Sequence, residues 1–274
     1  MNEIRLRDSS FAHTHSISNG NLKVIPKNFI WNRTDTKQKI TFFTGNHIHE
    51  IDTINNKSDI NIATIFEPIY INRSGYDFLF NNSQKFTYIL TYNRDILKRG
   101  MNFKFIPSSG CWIEEKDQLL YEKSKNLSVI FSNKKHTDGH ILRHQIIEKF
   151  KDKIDFIAGR GYKEIEYKLE ALKDYRYQIV VENGSFDYYF TEKIIDCFVT
   201  GVIPIYWGCP SIGKFFNLDG FYHFRTLDEL DVILKNISEK DYNEKLEYVK
   251  ENFEEAKKYT VPENWLWDNL LKKL

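Results

Sequence analysis

The sequence predicts an α/β protein of two domains, each built on a mainly parallel sheet. Two observations carry this. Short runs rich in β-branched and aromatic residues alternate with helical patterns along the whole chain. The length of 274 residues, at about 150 per domain, favours two domains over one. Hydrophobic residues make up 41% and charged residues 28%, enough apolar surface to offset the ordering entropy and exclude a disordered chain.

Residues 1 to about 37 read as a polar, ragged arm with one short strand at 22–25. Strands follow at 39–44 (KITFFT), 61–66 (NIATIF, closed by Glu67-Pro68), 86–91 (FTYILT) and 103–106 (FKFI). A helix at 72–84 separates the second from the third. A charged stretch at 123–126 then divides the chain into domains 1–125 and 126–274. The second domain opens with a strand at 127–131 (LSVIF). Next comes a helix at 138–149, with Asp138 as cap and Ile141, Leu142, Gln145, Ile146 and Phe150 on one face. Strands at 154–157, 177–181 and 203–207 follow, the last with Pro204 at its edge. The intervening helices are 167–172 and 191–200, the latter ended by Gly201. Helices at 228–236, 239–259 and 265–274 close the pattern. Two such domains place ligands at the carboxyl ends of strands, in a cleft.

The charge balance, 39 basic against 38 acidic residues, argues against nucleic-acid binding through bulk charge. An aromatic content of 15% supplies large cores and stacking surfaces. Cys111, Cys197 and Cys209 are odd in number and widely spaced, so reduced, buried thiols are expected. The N-terminal residues carry no apolar signal core, and no run is long enough for a membrane span. A cytoplasmic protein is expected, peripheral at a membrane only through a partner or a lipid-linked substrate.

The chemistry is concentrated in 177–217, YQIVVENGSFDYYFTEKIIDCFVTGVIPIYWGCPSIGKFFN. A buried strand ends in Glu182-Asn183, a loop follows, and Thr191-Glu192-Lys193 opens a helix. Lys193 offers an ammonium to a diphosphate, and Glu192 offers an acceptor to a ribose diol. Taken alone, the same three residues also describe a capped helix with a solvated first turn.

The whole string closely resembles the donor-site signature of glycosyltransferase family 10, the α-1,3/1,4-fucosyltransferases, and the bacterial members most. The matching residues are Glu182, Asn183, Tyr189, Thr191, Glu192, Lys193, Gly201, Pro204 and Gly208. The resemblance implies a GT-B fold of two facing Rossmann-like domains. It further implies inverting transfer of L-fucose from GDP-fucose to a hydroxyl of a glycan or glycolipid acceptor. Residues 126–274 would then bind the nucleotide-sugar donor, and 1–125 would lie on the acceptor side. By the same resemblance Glu192 holds the donor ribose, Lys193 meets the diphosphate, and Asn183 and Tyr189 line the donor pocket. Arg143 fits the place of a family arginine that reaches the diphosphate, where a planar guanidinium can donate two parallel hydrogen bonds. No tightly bound cofactor and no protein-ligated metal are expected; a divalent ion would act only as a stimulant.

An inverting transfer needs a carboxylate to take the acceptor's proton. In the family this is a first-domain Glu in a loop after a strand, shortly before a Pro, and Glu67 beside Pro68 has that setting. Glu50 is the rival. The family reads Thr-Gly-Glu-Asn near there, whereas this chain reads Thr44-Gly45-Asn46. His47 and His49 beside Glu50 are candidates for acceptor contact, and acceptor choice is expected in loops 46–59 and 69–84.

Gly159-Arg160-Gly161 lacks the third glycine of a dinucleotide fingerprint and reads as a tight turn. No Asp-x-Asp pair follows a strand, and no Cys/His spacing suits zinc. Two alternatives stay open: the same chemistry with another nucleotide sugar, or a non-catalytic nucleotide- or glycan-binding protein on the same fold.

Overall fold

A computed structural model of the chain describes residues 2–8, 16–17 and 24–274. Contacts group them into two units, Met1–Ser109 with Val261–Leu274, and Gly110–Thr260. The division therefore falls ahead of the expected boundary at 125/126, and the final residues return to the first unit. Residues 110–124 join the second unit through specific bonds. The Trp112 N–H donates to Asp196 (2.7 Å), and the buried Lys123 ammonium donates to the carbonyls of Leu172, Lys173 and Thr200.

In the first unit β1 (Asn2–Arg7), β2 (Phe29–Asn32), β3 (Ile40–Thr44), β4 (Ile60–Ile65), β5 (Tyr88–Thr91) and β6 (Phe103–Phe105) form one parallel sheet of order β2-β1-β3-β4-β5-β6. The central strand β3 is buried along its whole length, on both faces, and reads as a near-continuous apolar run. Phe42, Ile62 and Leu90 face one layer, while Phe43, Ala63 and Ile89 face the other. The second layer is completed by a 3₁₀-helix (Gly45–Asp52) and α1 (Arg73–Asn82), whose cap Asn72 accepts from the Gly75 N–H at 3.1 Å. A short α2 (Arg94–Leu97) precedes β6.

The arm expected at 1–37 is thus corrected: it contains β1 and β2. β1 alternates apolar and charged side chains, yet Arg5 is fully buried between Ile4 and Leu6. Its guanidinium donates to the carbonyls of Asn55 and Asn56 and to Asp35, partners no local pattern announces. Of the strand expected at 22–25, residues 22 and 23 lie outside the described residues, and 24–25 carry no regular structure.

In the second unit β7 (Lys125–Ile130), β8 (Phe156–Ala158), β9 (Tyr175–Val181), β10 (Ile203–Trp207) and β11 (Tyr222–His223) form a parallel sheet of order β11-β10-β9-β7-β8. All seven residues of β9 are buried. Pro204 sits where β10 pairs only with β9, because β11 reaches only Ile205 and Tyr206. Gly159 and Gly161 make the tight turn after β8, with φ of 111° and 88°.

The helices of this unit are α3 (Asp138–Phe150), α4 (Glu192–Phe198), α5 (Leu227–Asn236), α6 (Glu239–Glu244) and α7 (Leu246–Ala256). Four expectations are corrected here. Thr137, not Asp138, caps α3 by accepting from the His140 N–H. The helix turns His140 and Arg143 inward and leaves Ile141 exposed. The single helix expected at 239–259 breaks into α6 and α7 at Lys245, whose backbone (φ −96°, ψ 0°) departs from the helical values. The helix expected at 167–172 is a 3₁₀-helix, Lys168–Ala171.

The last helix, α8 (Pro262–Asn269), starts earlier than the expected 265 because Pro262 suits the first helical position. Leu266 and the following Leu271 pack on Phe29, Trp31 and Phe42. The buried Glu263 carboxylate accepts from the Trp31 indole (2.8 Å), the Ile17 N–H (2.6 Å) and the Ser16 hydroxyl (2.9 Å). These bonds fasten the chain end to the first unit. Among the described residues, no helix is long and apolar enough to cross a membrane.

Candidate functional site

In the second unit the strand order reverses direction between β7 and β9. Open parallel sheets bind ligands outside the carboxyl ends of the strands at such a point. The segment singled out from the sequence leaves β9 there. Glu182 is fully buried and accepts twice from Thr191, from its N–H at 2.9 Å and from its hydroxyl at 2.8 Å. This double bond fixes where α4 begins.

Glu192 and Lys193 are the first residues of α4. The Lys193 Nζ lies 3.0 Å from Thr191 Oγ1, 3.3 Å from Glu192 Oε1 and 3.5 Å from Glu182 Oε2. Burial would raise the Glu192 carboxyl, but the Lys193 and Lys168 ammoniums and a hydrogen bond from Thr191 hold it at about 2. Glu192 therefore stays ionised at neutral pH, and its neighbouring ammonium is 27% exposed.

α3 supplies the other wall. The Arg143 guanidinium donates to the Val181 carbonyl and to Asn183 Oδ1 (3.3 Å), which brings Arg143 and Asn183 together. Burial lowers its pKa, while the Glu182, Glu192 and Tyr189 charges act in the opposite sense. The Arg143 Nε and the His140 Nδ1 are buried without a protein partner. Burial and the Arg143, Lys134, His136 and Lys193 charges push His140 down to about 4, so the imidazole is neutral at pH 7.

Close backbone approach holds the two walls together. The Gly139 N–H donates to the Asn183 carbonyl at 3.2 Å, and a Cβ on Gly139 would stand 1.8 Å from the Glu182 carbonyl oxygen. A Cβ on Gly208 would meet the Tyr206 hydroxyl at 2.4 Å and Glu182 Cγ at 2.6 Å. Tyr189 is only 2% exposed and packs near Phe186. It is a core residue beneath the loop more than an open pocket wall.

Sequence reasoning missed His140, Lys168 and Asp196. Lys168 and Asp196 gain meaning only from partners distant in sequence, His140 only from the inward turn of α3, and no motif marks them. Asp196 is fixed by Trp112 and by Lys168, whose Nζ lies 2.6 Å from Asp196 Oδ2.

In the first unit Glu67 follows β4, is exposed, and has its carbonyl held by the Tyr76 hydroxyl at 2.9 Å. Glu50 lies in the 3₁₀-helix after β3, at that sheet's own reversal between β1 and β3. Its carboxylate accepts from Arg7 Nε at 2.6 Å and meets His47 Nδ1 at 2.5 Å. Burial raises its pKa, but the Arg7 and His47 bonds outweigh that and leave it below the usual value. The His49 ring packs 4.4 Å from that of Phe78. Among the described residues, no group of three or more His, Cys, Asp or Glu is placed to hold a metal ion.

The profile of glycosyltransferase family 10 (fucosyltransferase), C-terminal region, matches residues 120–271. An α-(1,3)-fucosyltransferase of Helicobacter pylori is 42% identical over 72 residues, 25% of this chain and 15% of that protein. α-(1,3)-Fucosyltransferase B of Drosophila melanogaster is 24% identical over 168 residues, 61% of this chain and 34% of that protein. The chain thus matches much less than two thirds of either relative. A crystal structure of an α1,3-fucosyltransferase with GDP-fucose superposes with a TM-score of 0.53 at 18% identity, covering 80% of this chain and 72% of that one. A second, with GDP, gives 0.54 at 14% identity, covering 96% and 93%. The fold is therefore of the GT-B class, with two Rossmann-like parallel-sheet units.

Proposed function

Because this chain belongs to glycosyltransferase family 10, we propose that it is an inverting transferase that moves L-fucose from GDP-fucose to a hydroxyl of a glycan. One observation carries the proposal. Glu192, held ionised, and a partly exposed Lys193 stand side by side at the sheet reversal, beside the inward-facing Arg143. A carboxylate for a ribose diol next to cations for a diphosphate is the arrangement a nucleoside diphosphate requires.

In the proposed reaction the acceptor oxygen attacks the anomeric carbon as the bond to the β-phosphate oxygen breaks. The bonding electron pair leaves with GDP, and one displacement inverts the centre. Lys193 and Arg143 stabilise the charge that grows on the diphosphate. Glu67 takes the acceptor proton, and its exposed place after β4 leaves it accessible. Glu50 is the second candidate, already bonded to Arg7 and His47. Acceptor choice is assigned to 46–59 and 69–84, and the donor to the unit containing β7–β11.

The test is release of GDP from GDP-fucose, with and without glycan acceptors, alongside GDP binding. Glu67→Ala should lose turnover and keep binding. Normal turnover in that variant would move the base to Glu50. Stabilisation by UDP or dTDP sugars in place of GDP-fucose would keep the transferase and reject fucose. Binding of GDP with no turnover on any acceptor would favour a non-catalytic nucleotide-binding protein.

A further inference from the structure

We propose that Lys168 is the positioning residue that fixes Glu192 for the ribose of the donor, a role that rests on the donor site described above. Lys168 opens the 3₁₀-helix Lys168–Ala171, outside the segment that carries the family signature. Its place is set locally. The Glu170 carboxylate accepts from the N–H groups of Glu166 and Tyr167, both at 2.9 Å, and so closes the turn from which Lys168 projects.

The ammonium is held on three sides. It lies 2.6 Å from Asp196 Oδ2, 3.7 Å from Glu192 Oε1 and 4.4 Å from the centre of the Trp112 ring. Asp196 is itself fixed, because its other oxygen accepts from the Trp112 N–H. Trp112, Asp196, Lys168 and Glu192 thus form a chain of contacts that ends at the carboxylate assigned to the ribose. Two cations approach Oε1 of that carboxylate, Lys193 at 3.3 Å and Lys168 at 3.7 Å.

The two cations are not equivalent. Lys193 is bonded to Thr191, Glu182 and Glu192, and reaching a diphosphate requires it to leave some of these partners. Lys168 is anchored by Asp196 and the indole face, with a side chain 18% exposed. When Lys193 turns to phosphate, Lys168 remains as the cation that keeps Glu192 ionised and in place. A neutral residue at 168 would leave Glu192 to compete with the diphosphate for Lys193.

Calorimetric titration with GDP and with 2′,3′-dideoxy-GDP tests this role. Wild type should bind GDP the more tightly of the two. Lys168→Met should weaken GDP about tenfold, the scale of a charge-supported hydrogen bond, and dideoxy-GDP less than about twofold. Lys168→Arg should restore most of the difference. If Lys168→Met unfolds because Asp196 is left as a lone buried charge, Lys168→Met/Asp196→Asn removes the pair while leaving an acceptor for Trp112. The same ligand difference should then be lost. Equal weakening of both ligands, or none, overturns the role. Wild type that binds neither ligand overturns the donor site itself.

Discussion

The two units have the same strand order around their reversal, yet they arrange charge there in opposite ways. In the first unit the two cations are paired with carboxylates. Arg5 and Arg7 both bond to Asp35, and Arg7 is also bonded to Glu50. In the second unit Glu182 is directed into the N–H and hydroxyl of Thr191, and Asp196 into Trp112 and Lys168. Lys193 stays partly exposed, and the Arg143 guanidinium is bonded to a carbonyl and an amide oxygen, not to a carboxylate. A parallel sheet offers a place for an anion, but the disposition of neighbouring carboxylates decides whether cations remain to receive one.

The largest effect is expected in catalysis, where the first unit must contribute a base. Glu67→Ala should lower transfer by roughly 10²–10⁴-fold, the usual contribution of a general base, with GDP affinity unchanged in a binding titration. Glu50→Ala, which leaves Arg7 with Asp35 as its carboxylate partner, should lower turnover less. A larger loss there would exchange the two roles.

The next effect contrasts two helix starts. Gly139→Ala forces a Cβ against the Glu182 backbone, whereas at Gly75 the nearest atoms belong to the Asn72 side chain, which can move. Urea midpoints should show Gly139→Ala destabilising by about 1–3 kcal/mol and Gly75→Ala by less. Equal losses would remove the claim that the second unit's site is held by close backbone approach.

Capping gives a smaller difference. Thr191→Ala removes an N-cap and a buried partner of Glu182 and should cost about 1–2 kcal/mol in thermal melts. Asn93→Ala, at the exposed start of α2, should cost about 0.5–1 kcal/mol.

Two buried carboxyls should respond to pH with opposite signs. The Glu192 carboxyl is depressed from 4.5 to about 2, so its stabilisation is present above pH 4.5 and is lost as pH falls towards 2. The Glu263 carboxyl is raised above 4.5 by burial, so its contribution is full below pH 4.5 and lost as pH rises through the folded-state value. In urea titrations from pH 3 to 7, the destabilisation by Glu192→Gln should grow with pH. That by Glu263→Gln should shrink.

The second unit was the more legible in sequence because its chemistry is local. The residues from Glu182 to Lys193 lie within one strand–loop–helix segment, and the helix cap and its two charges are neighbours in the chain. β10 was read to the residue because Ile203–Trp207 is an apolar run between turn residues. The first unit was read less well because its order depends on distant partners. β1 hides a buried arginine that only Asp35 and two carbonyls make tolerable. The attachment of α8 depends on Glu263 meeting Trp31. Lys168 was invisible for the same reason, since its partners Trp112, Glu192 and Asp196 lie far along the chain on either side.

The central claim is that the second unit receives a guanosine diphosphate at its sheet reversal. Calorimetric titration of wild type, Glu192→Ala and Lys193→Ala with GDP, and of wild type with UDP and CMP, tests it most directly. The account predicts GDP binding in wild type, weakened about 10–100-fold by either substitution, and little or no binding of UDP or CMP. Absence of GDP binding to wild type, or unchanged affinity in both variants, would contradict it.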